Sequence, residues 1–177
     1  MTNTIRTKRL LLRQPKLSDA SWITAGLSNY EVASNMLVPH PFNIDMALDW
    51  LNHAQTLKAP SEIRFCIEHE DDGGVGVVSF REKNGYAQLG YWLDQKYWGQ
   101  GIMSEAVKET CNWYYTHNKA DIITSGVFHF NMASLAVQYK LGFAETGRSQ
   151  VYCPARGEDI EHIDTELTRD AFEAATT

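Results

Sequence analysis

The segment 89–106 constrains the fold more than any other part of the chain. It reads as an apolar strand, then a turn that contains Gly99 and Gly101, then the start of an amphipathic helix. Glycine permits positive φ and close approach of the backbone, and the first turn of a helix leaves its N–H groups unpaired. The helix dipole adds partial positive charge there. The pattern predicts a phosphate or diphosphate site formed by the amides of Gln100 to Ser104.

Two common nucleotide-binding motifs do not match this turn. The dinucleotide fingerprint needs a third glycine where this chain has Ser104, and the Walker motif needs a Gly-Lys-Ser/Thr sequence that is missing here. The expected site is therefore a phosphate cradle of backbone amides without a lysine clamp.

Composition predicts one globular domain over residues 1–177, with 44% hydrophobic and 21% charged residues. No apolar run approaches the roughly 20 residues that cross a bilayer, and the first residues lack a signal-peptide core. We therefore expect a cytoplasmic protein with no membrane partner. A formal net charge of −6 disfavours a nucleic-acid partner and is compatible with a cationic substrate.

Cysteine usage points to reduced thiols rather than to disulfides or a metal. Cys66, Cys111 and Cys153 are odd in number and irregularly spaced. No cluster has the spacing of metal ligands, so we expect no metal. Cys153 precedes Pro154 and is predicted to be an exposed loop thiol.

The pattern of apolar residues predicts an α+β fold with a mixed, mostly antiparallel central sheet of about seven strands flanked by about four helices. The expected strands are 5–13, 63–67, 75–80, 87–93, 121–130, 143–152 and 160–167. The expected helices are 18–27, 45–57, 102–117 and 132–140, with Ser18 as the N-cap of the first and Gly142 as the C′ cap of the last.

The sequence Lys96-Tyr-Trp-Gly-Gln-Gly101 resembles the R/Q-x-x-G-x-G/A acetyl-CoA motif of the GNAT family of N-acetyltransferases, with Lys at the first position. The resemblance covers nearly the whole chain and is strongest to the RimJ/RimL branch. The other similar segments are 7–13, 76–80, 90–94, 131–134, 140–143 and 163–169.

This resemblance implies an acetyltransferase that takes acetyl-CoA as co-substrate and passes the acetyl group directly to a primary amine in a ternary complex. It also implies that the cofactor's pantetheine arm docks between two separating strands, where a free N–H near Tyr91 to Leu93 stabilises the oxyanion. The implied cofactor-binding residues are Tyr91, Trp92, Leu93, Trp98, Gly99, Gln100, Gly101, Ile102, Met103, Ser104, Asn131 and Ser134.

Two interpretations of the acid side of catalysis stay open. Many relatives protonate the leaving thiolate with a Tyr at a position that is Gln138 here, and the neighbouring Tyr139 is expected to face elsewhere on its helix. The RimL-like branch implies Ser134 instead, although Ser134 also suits a plain first-turn position. Asn131 suits both a helix cap and a bond to the pantetheine arm.

The general base is not assigned by the sequence. An α-amine, with a pKa of about 7.7, needs less help than a lysine amine at about 10.4. Glu82 and Glu68 are the carboxylate candidates, and Glu82 is taken as the catalytic one. RimL-like relatives often carry Glu where this chain has Gln88, so one obvious carboxylate is missing. His129 suits a base by pKa, but a partly buried structural histidine explains it as well.

Resemblance to the RimL branch favours the N-terminal α-amine of a protein as acceptor. Polyamines, aminoglycosides and amino-acid-like metabolites are alternatives, as is a CoA-binding sensor without turnover. A nucleotide-binding module is a third possibility for the glycine turn. Monomer and homodimer are both compatible with the sequence.

Overall fold

A computed structural model describes residues 3–56 and 62–177. In these residues the strands are β1 (Ile5–Arg6), β2 (Leu10–Arg13), β3 (Glu62–His69), β4 (Gly73–Lys83), β5 (Tyr86–Leu93), β6 (Ile122–Phe128), β7 (Ala144–Cys153) and β8 (Glu158–Thr168). The helices are α1 (Ala20–Ser28), α2 (Tyr30–Ala33), α3 (Ile44–Thr56), α4 (Ile102–His117), α5 (Met132–Lys140) and α6 (Arg169–Thr176). The predicted end of the third helix at Leu57 lies outside the described residues.

The strands form one sheet in the order β1-β2-β3-β4-β5-β6-β8-β7. The β5–β6 pair is parallel and its neighbours pair antiparallel. The predicted mixed, mostly antiparallel sheet is thereby confirmed, with slightly more strands than expected. No helix in residues 3–56 and 62–177 is long and apolar enough to cross a membrane.

Four elements differ from the predicted ones for local reasons. Thr7 closes a turn, because its N–H donates to the Leu10 carbonyl and its hydroxyl accepts from the Leu10 N–H, both at 2.9 Å. The predicted strand 5–13 is therefore two paired strands. Asn29 and Thr168 cap two helices that the sequence pattern missed, α2 and α6. Ser18 lies inside a short 3-10 turn and does not cap α1.

The helices divide between the two faces of the sheet. The α4 face is covered by α4, α5 and α6, and its core contains Phe65, Val107 and Phe172. The α1 face is covered by α1, α2 and α3, and its core contains Leu51 and Trp92. Because side chains alternate along a strand, residues two apart on a regular strand point to the same face.

Strands β5 and β6 pair over a short distance and then separate. Their ladder consists of Ala87 with Ile123 and Gln88 with Thr124. Beyond these residues the space between 89–93 of β5 and 125–128 of β6 forms an opening in the sheet, called the strand gap below. The glycine turn and the start of α4 follow β5 at one end of this gap.

Candidate active site

The glycine turn leaves a row of backbone amides without partners. Gly99 has φ 72° and Gly101 has φ 74°, both in the left-handed region, and α4 starts at Ile102. The first amide that bonds within the helix is that of Glu105, which donates to the Gly101 carbonyl at 3.1 Å. Among the described residues, the amides from Gly99 to Ser104 have no acceptor. Such a row at a helix N-terminus suits a diphosphate.

Arg9 fixes the outer side of this turn. Its Nη1 donates to the Gln100 carbonyl at 3.0 Å and its Nε donates to the Glu105 carboxylate at 2.8 Å. The Thr7 hydroxyl donates to the same carboxylate at 2.5 Å. Burial alone would raise the pKa of Glu105, but the hydrogen bonds from Thr7 and Arg9 lower it. Because Arg9 orients the Gln100 carbonyl, it stabilises the conformation that leaves the amides free.

The backbone of β5 presents polar groups to the strand gap. The Ala87 and Leu89 carbonyls point toward β6, where they accept hydrogen bonds from Thr124 and from Ser125 at 2.9 Å. Backbone orientation alternates along a strand, so Tyr91 and Leu93 also direct their N–H and C=O groups toward the gap. The Leu93 carbonyl accepts from the Trp98 indole at 2.8 Å. The remaining groups suit the amides of a pantetheine arm.

Ser134 lies at the gap, in the first turn of α5. The Tyr91 hydroxyl is 2.8 Å from its Oγ and 3.1 Å from its carbonyl oxygen. Burial raises the pKa of Tyr91 to about 12, although its bonds to Ser134 and Gln138 lower it. Tyr91 therefore stays protonated at neutral pH. When it donates to Ser134 Oγ, the serine proton is free to donate to a third atom.

Asn131 caps α5, because its Oδ1 accepts from the Ser134 N–H at 3.2 Å. Its side-chain N–H₂ group has no acceptor among the described residues, so the cap leaves this group available. Both roles considered for Asn131 are therefore geometrically compatible.

Gln138 is fully buried next to the gap. Its amide N–H donates to Ser125 Oγ at 3.0 Å and its amide oxygen accepts from the Thr165 hydroxyl at 2.6 Å. Both ends of the side chain are occupied, so Gln138 braces β6 and β8 against α5. Tyr139 is 47% exposed on another side of the helix, as the sequence predicts.

A cavity of about 830 Å³ passes through the gap and joins the two faces. One end contains Gly99, Ser104 and Asn131, and the other opens on the α1 face. The predicted residues along it include Tyr91, Trp92, Leu93, Trp98, Gly101, Ile102, Met103 and Ser134. The structure gives several of them a packing role as well, since Ile102 and Met103 pack in the α4-face core and Trp92 in the α1-face core.

The α1-face end of the cavity is mainly apolar. Its wall includes Met36, Val38, Phe42 and Trp50. Glu62 is the one carboxylate residue among the described lining residues.

The Glu62 carboxylate is paired with two arginines. It lies 2.7 Å from the Arg64 guanidinium and 3.7 Å from that of Arg81. Arg64 in turn stacks on the Trp50 ring at 4.3 Å. With two guanidiniums for one carboxylate, this end has no excess of negative charge.

A histidine and a carboxylate that the sequence reasoning missed also lie on this face. His162 lines the cavity, and its Nδ1 is 2.9 Å from Asp164 Oδ1. The same oxygen accepts from the Ser149 hydroxyl at 3.0 Å. The spacing of two residues in a strand is the signal that could have found this pair, because it places both side chains on one face.

Several residues singled out from the sequence lie elsewhere. Glu82 is exposed and lines a separate cleft beside Tyr114, because it follows Phe80 by two residues and so points to the α4 face. It is not in the cavity that contains Ser134. Glu68 pairs with Arg13 at 2.5 Å, away from the cavity.

Two further expectations about exposure were wrong. His129 is exposed rather than partly buried, and it does not line the cavity. Cys153 is fully buried rather than exposed, since its thiol packs against the carbonyls of Ser34 and Met36 at 3.6 and 3.7 Å.

Comparisons with known proteins show which family the chain belongs to. The family model of the GNAT acetyltransferase domain matches residues 9–144. The chain belongs to the GNAT acetyltransferase family. A curated relative is the uncharacterized N-acetyltransferase p20 of Bacillus licheniformis, 29% identical over 163 residues, which are 89% of this chain and 92% of the relative.

Two solved acetyltransferase structures share this fold and are named for different acceptors. One is the ribosomal-protein-S5-alanine acetyltransferase of Vibrio fischeri, with TM-score 0.83 and 24% identity, covering 95% of this chain and 97% of that one. The other is the spermidine N-acetyltransferase of Vibrio cholerae in complex with CoA and spermine, with TM-score 0.81 and 18% identity, covering 94% and 99%.

Proposed function

We propose that this GNAT protein transfers the acetyl group of acetyl-CoA to the N-terminal α-amine of a peptide or protein. The observation that carries the proposal is the row of unpaired amides from Gly99 to Ser104 at the mouth of the strand gap. The six N–H groups of this row, together with the helix dipole, form a site for the cofactor's diphosphate.

The pantetheine arm then runs from the turn into the gap. Its amides pair with the backbone of Tyr91 and Leu93, as an added strand would. The side-chain N–H₂ group of Asn131 supplies a further donor beside Ser134. This path places the thioester between β5 and β6, where the cavity reaches both faces of the sheet.

Transfer to the amine is direct. The amine nitrogen attacks the thioester carbonyl, and a backbone N–H of the gap holds the oxygen that gains charge. The Ser134 hydroxyl donates a hydrogen bond to the leaving sulfur, with the Tyr91 hydroxyl behind it. An acetylated cysteine is disfavoured, because Cys66 and Cys111 are fully buried and burial raises the pKa of each thiol.

The α1-face end of the cavity favours a peptide over a polyamine. A polycation needs several unpaired carboxylates, whereas the described lining has Glu62 alone and Glu62 is already paired with Arg64 and Arg81. Apolar and aromatic walls suit the side chain of an N-terminal residue. The Vibrio fischeri relative, named for a ribosomal protein, agrees with this choice of acceptor class.

The test combines calorimetry with a thiol-release assay. Acetyl-CoA should bind the purified protein, and an equimolar library of tetrapeptides with free α-amines should release CoA, whereas spermidine should release much less. Release with spermidine but not with the library would overturn the acceptor class. Tight binding with no release from either would favour a CoA sensor. Competition by ATP for the glycine turn would favour a nucleotide-binding module.

A further inference from the structure

We infer that His162 is the general base of this acetyltransferase and that Asp164 positions it. The inference rests on the proposed function, since it assigns the group that takes the proton of the acceptor amine. It goes beyond the sequence evidence, whose preferred carboxylate, Glu82, lies outside the cavity.

The imidazole lies at the place where the strands separate. A Cβ at Gly126 would be 2.1 Å from Cε1 of His162, so the ring covers the bare backbone of that glycine. The preceding residue, Ser125, makes the last bond across the gap, to the Leu89 carbonyl. His162 is therefore beside the opening and not along the closed part of the sheet.

On the same face, the opening is unobstructed beside Gly90, which lies across the gap from Gly126. A Cβ on Gly90 would meet Ser79 Oγ alone, at 3.7 Å. An amine that enters from the α1 face can therefore reach a thioester held in the gap. This entrance on the α1 face is called the window below, and His162 lies beside it.

Alternation along β8 determines which face carries the pair. Ile163 packs with Val127 and Leu135 on the α4 face, so its neighbours His162 and Asp164 point to the α1 face. Ser134 approaches the gap from α5, on the opposite side. The proton acceptor and the hydrogen-bond donor for sulfur thus approach the strand gap from opposite faces of the sheet, so both can serve a thioester held between them.

The hydrogen bonds of the pair set the tautomer of the ring. A carboxylate only accepts hydrogen bonds, so Nδ1 of His162 carries the proton that it shares with Asp164 at 2.9 Å. Nε2 then presents a lone pair, and it has no partner among the residues that the structure describes. The ring is 18% exposed and packs edge-on against Phe128. Its Nδ1 side is held by the Asp164 carboxylate, which in turn accepts a hydrogen bond from the Ser149 hydroxyl.

The proton balance of the step is simple. The amine nitrogen forms a bond to the carbonyl carbon, and its excess proton moves to Nε2 of His162, which becomes an imidazolium paired with Asp164. Collapse of the tetrahedral intermediate breaks the carbon–sulfur bond. The thiolate leaves with a hydrogen bond from Ser134 and takes a proton from water, while the imidazolium returns its proton to water.

The experiment compares His162→Gln with the matched variant His129→Gln, using the tetrapeptide library as acceptor and calorimetry with acetyl-CoA as the binding control. His162→Gln should lower kcat/KM for the peptides by about 10²- to 10³-fold and leave the Kd for acetyl-CoA within about twofold. His129→Gln, which changes an exposed histidine outside the cavity, should keep both values. Asp164→Asn should lower kcat with little change in KM for acetyl-CoA.

Chemical rescue separates a base from a packing residue. In His162→Ala the space above Gly126 is open, and added imidazole should restore thiol release at least about tenfold, whereas it should not restore Asp164→Asn. Full activity of His162→Gln would overturn the inference. So would a His162→Gln variant that loses both activity and acetyl-CoA affinity, combined with a His162→Ala variant that imidazole does not rescue. If the wild-type protein binds no acetyl-CoA, the proposed function fails instead, and the two failures are distinguishable.

Discussion

Gly99→Ala tests the amide row in a way that separates strain from binding. Gly99 has φ 72° and nothing within 4 Å of an added Cβ, so the methyl group would project into the open mouth of the cavity. The matched control is Gly157→Ala in the β7–β8 turn. Gly157 has φ 70°, equally open space, and no place in the cavity lining.

The expected magnitudes follow from these two facts. An alanine in the left-handed region costs about 1–2 kcal/mol, which for a domain of this size lowers Tm by about 2–8 °C. Both variants should show this loss. In Gly99→Ala alone the methyl group keeps the diphosphate from the amides. Loss of one charge-assisted hydrogen bond, at about 1.5–3 kcal/mol, weakens acetyl-CoA binding at least about tenfold.

Calorimetry with acetyl-CoA and thermal unfolding without it provide the two readouts. The reasoning is refuted if Gly99→Ala and Gly157→Ala lose the same stability and yet bind acetyl-CoA with equal affinity. Equal loss of affinity in both would show that stability, and not the turn, controls binding.

Three other predictions test separate parts of the account. Ser134→Ala should lower kcat about 10²-fold and Tyr91→Phe about tenfold, each with little change in KM. Steady-state thiol release measures both effects. An unchanged kcat in Ser134→Ala would leave Ser134 as a helix-start residue. Gly90→Val should narrow the window on the α1 face, so peptide acetylation should fall at least about tenfold with acetyl-CoA affinity kept; equal turnover would place the amine's entry elsewhere. Burial would raise the pKa of Asp19, but hydrogen bonds from Arg13, Trp22 and the Lys16 backbone outweigh burial and lower the pKa from 3.8 to about 2. The ionised carboxylate therefore stabilises the fold by about 2 kcal/mol above pH 3.8. This contribution is lost as the pH falls through 2. Urea unfolding of Asp19→Asn should show a flatter pH dependence in that window, and parallel curves would contradict it.

Local patterns predicted the parts of the fold that depend on nearby residues. Helices α4 and α5 begin and end where apolar periodicity and the caps at Gly101 and Asn131 place them. The glycine turn could be predicted because its conformation depends on Gly99 and Gly101 themselves. The parallel β5–β6 pair followed from a helix between two strands.

The site residues that depend on tertiary contacts could not be predicted in the same way. Arg9 reaches Gln100 across 91 positions of sequence, and Cys153 is covered by Ser34 across 119. A flanking proline indicated exposure for Cys153, but packing against a distant segment decided its burial. No local pattern contains these contacts.

The general base could not be predicted from the sequence for a different reason. Glu82 was preferred by residue type, although its alternation with Phe80 already placed it on the α4 face. His162 and Asp164 share a face by the same rule, but only the pairing of β8 with β6 brings that face to the gap. The strand order, which the sequence does not give, therefore decides which polar residues belong to the site.

The most direct measurement of the central claim is amide chemical-shift mapping by NMR during titration with acetyl-CoA. The account predicts large downfield shifts for the amide protons of Gly99 to Ser104, because these N–H groups change from unpaired donors to donors for a diphosphate. Acetyl-pantetheine, which lacks the diphosphate, should leave these signals nearly unchanged. Saturating acetyl-CoA with no shift in this row, or with its largest shifts outside the glycine turn and the strand gap, would contradict the account.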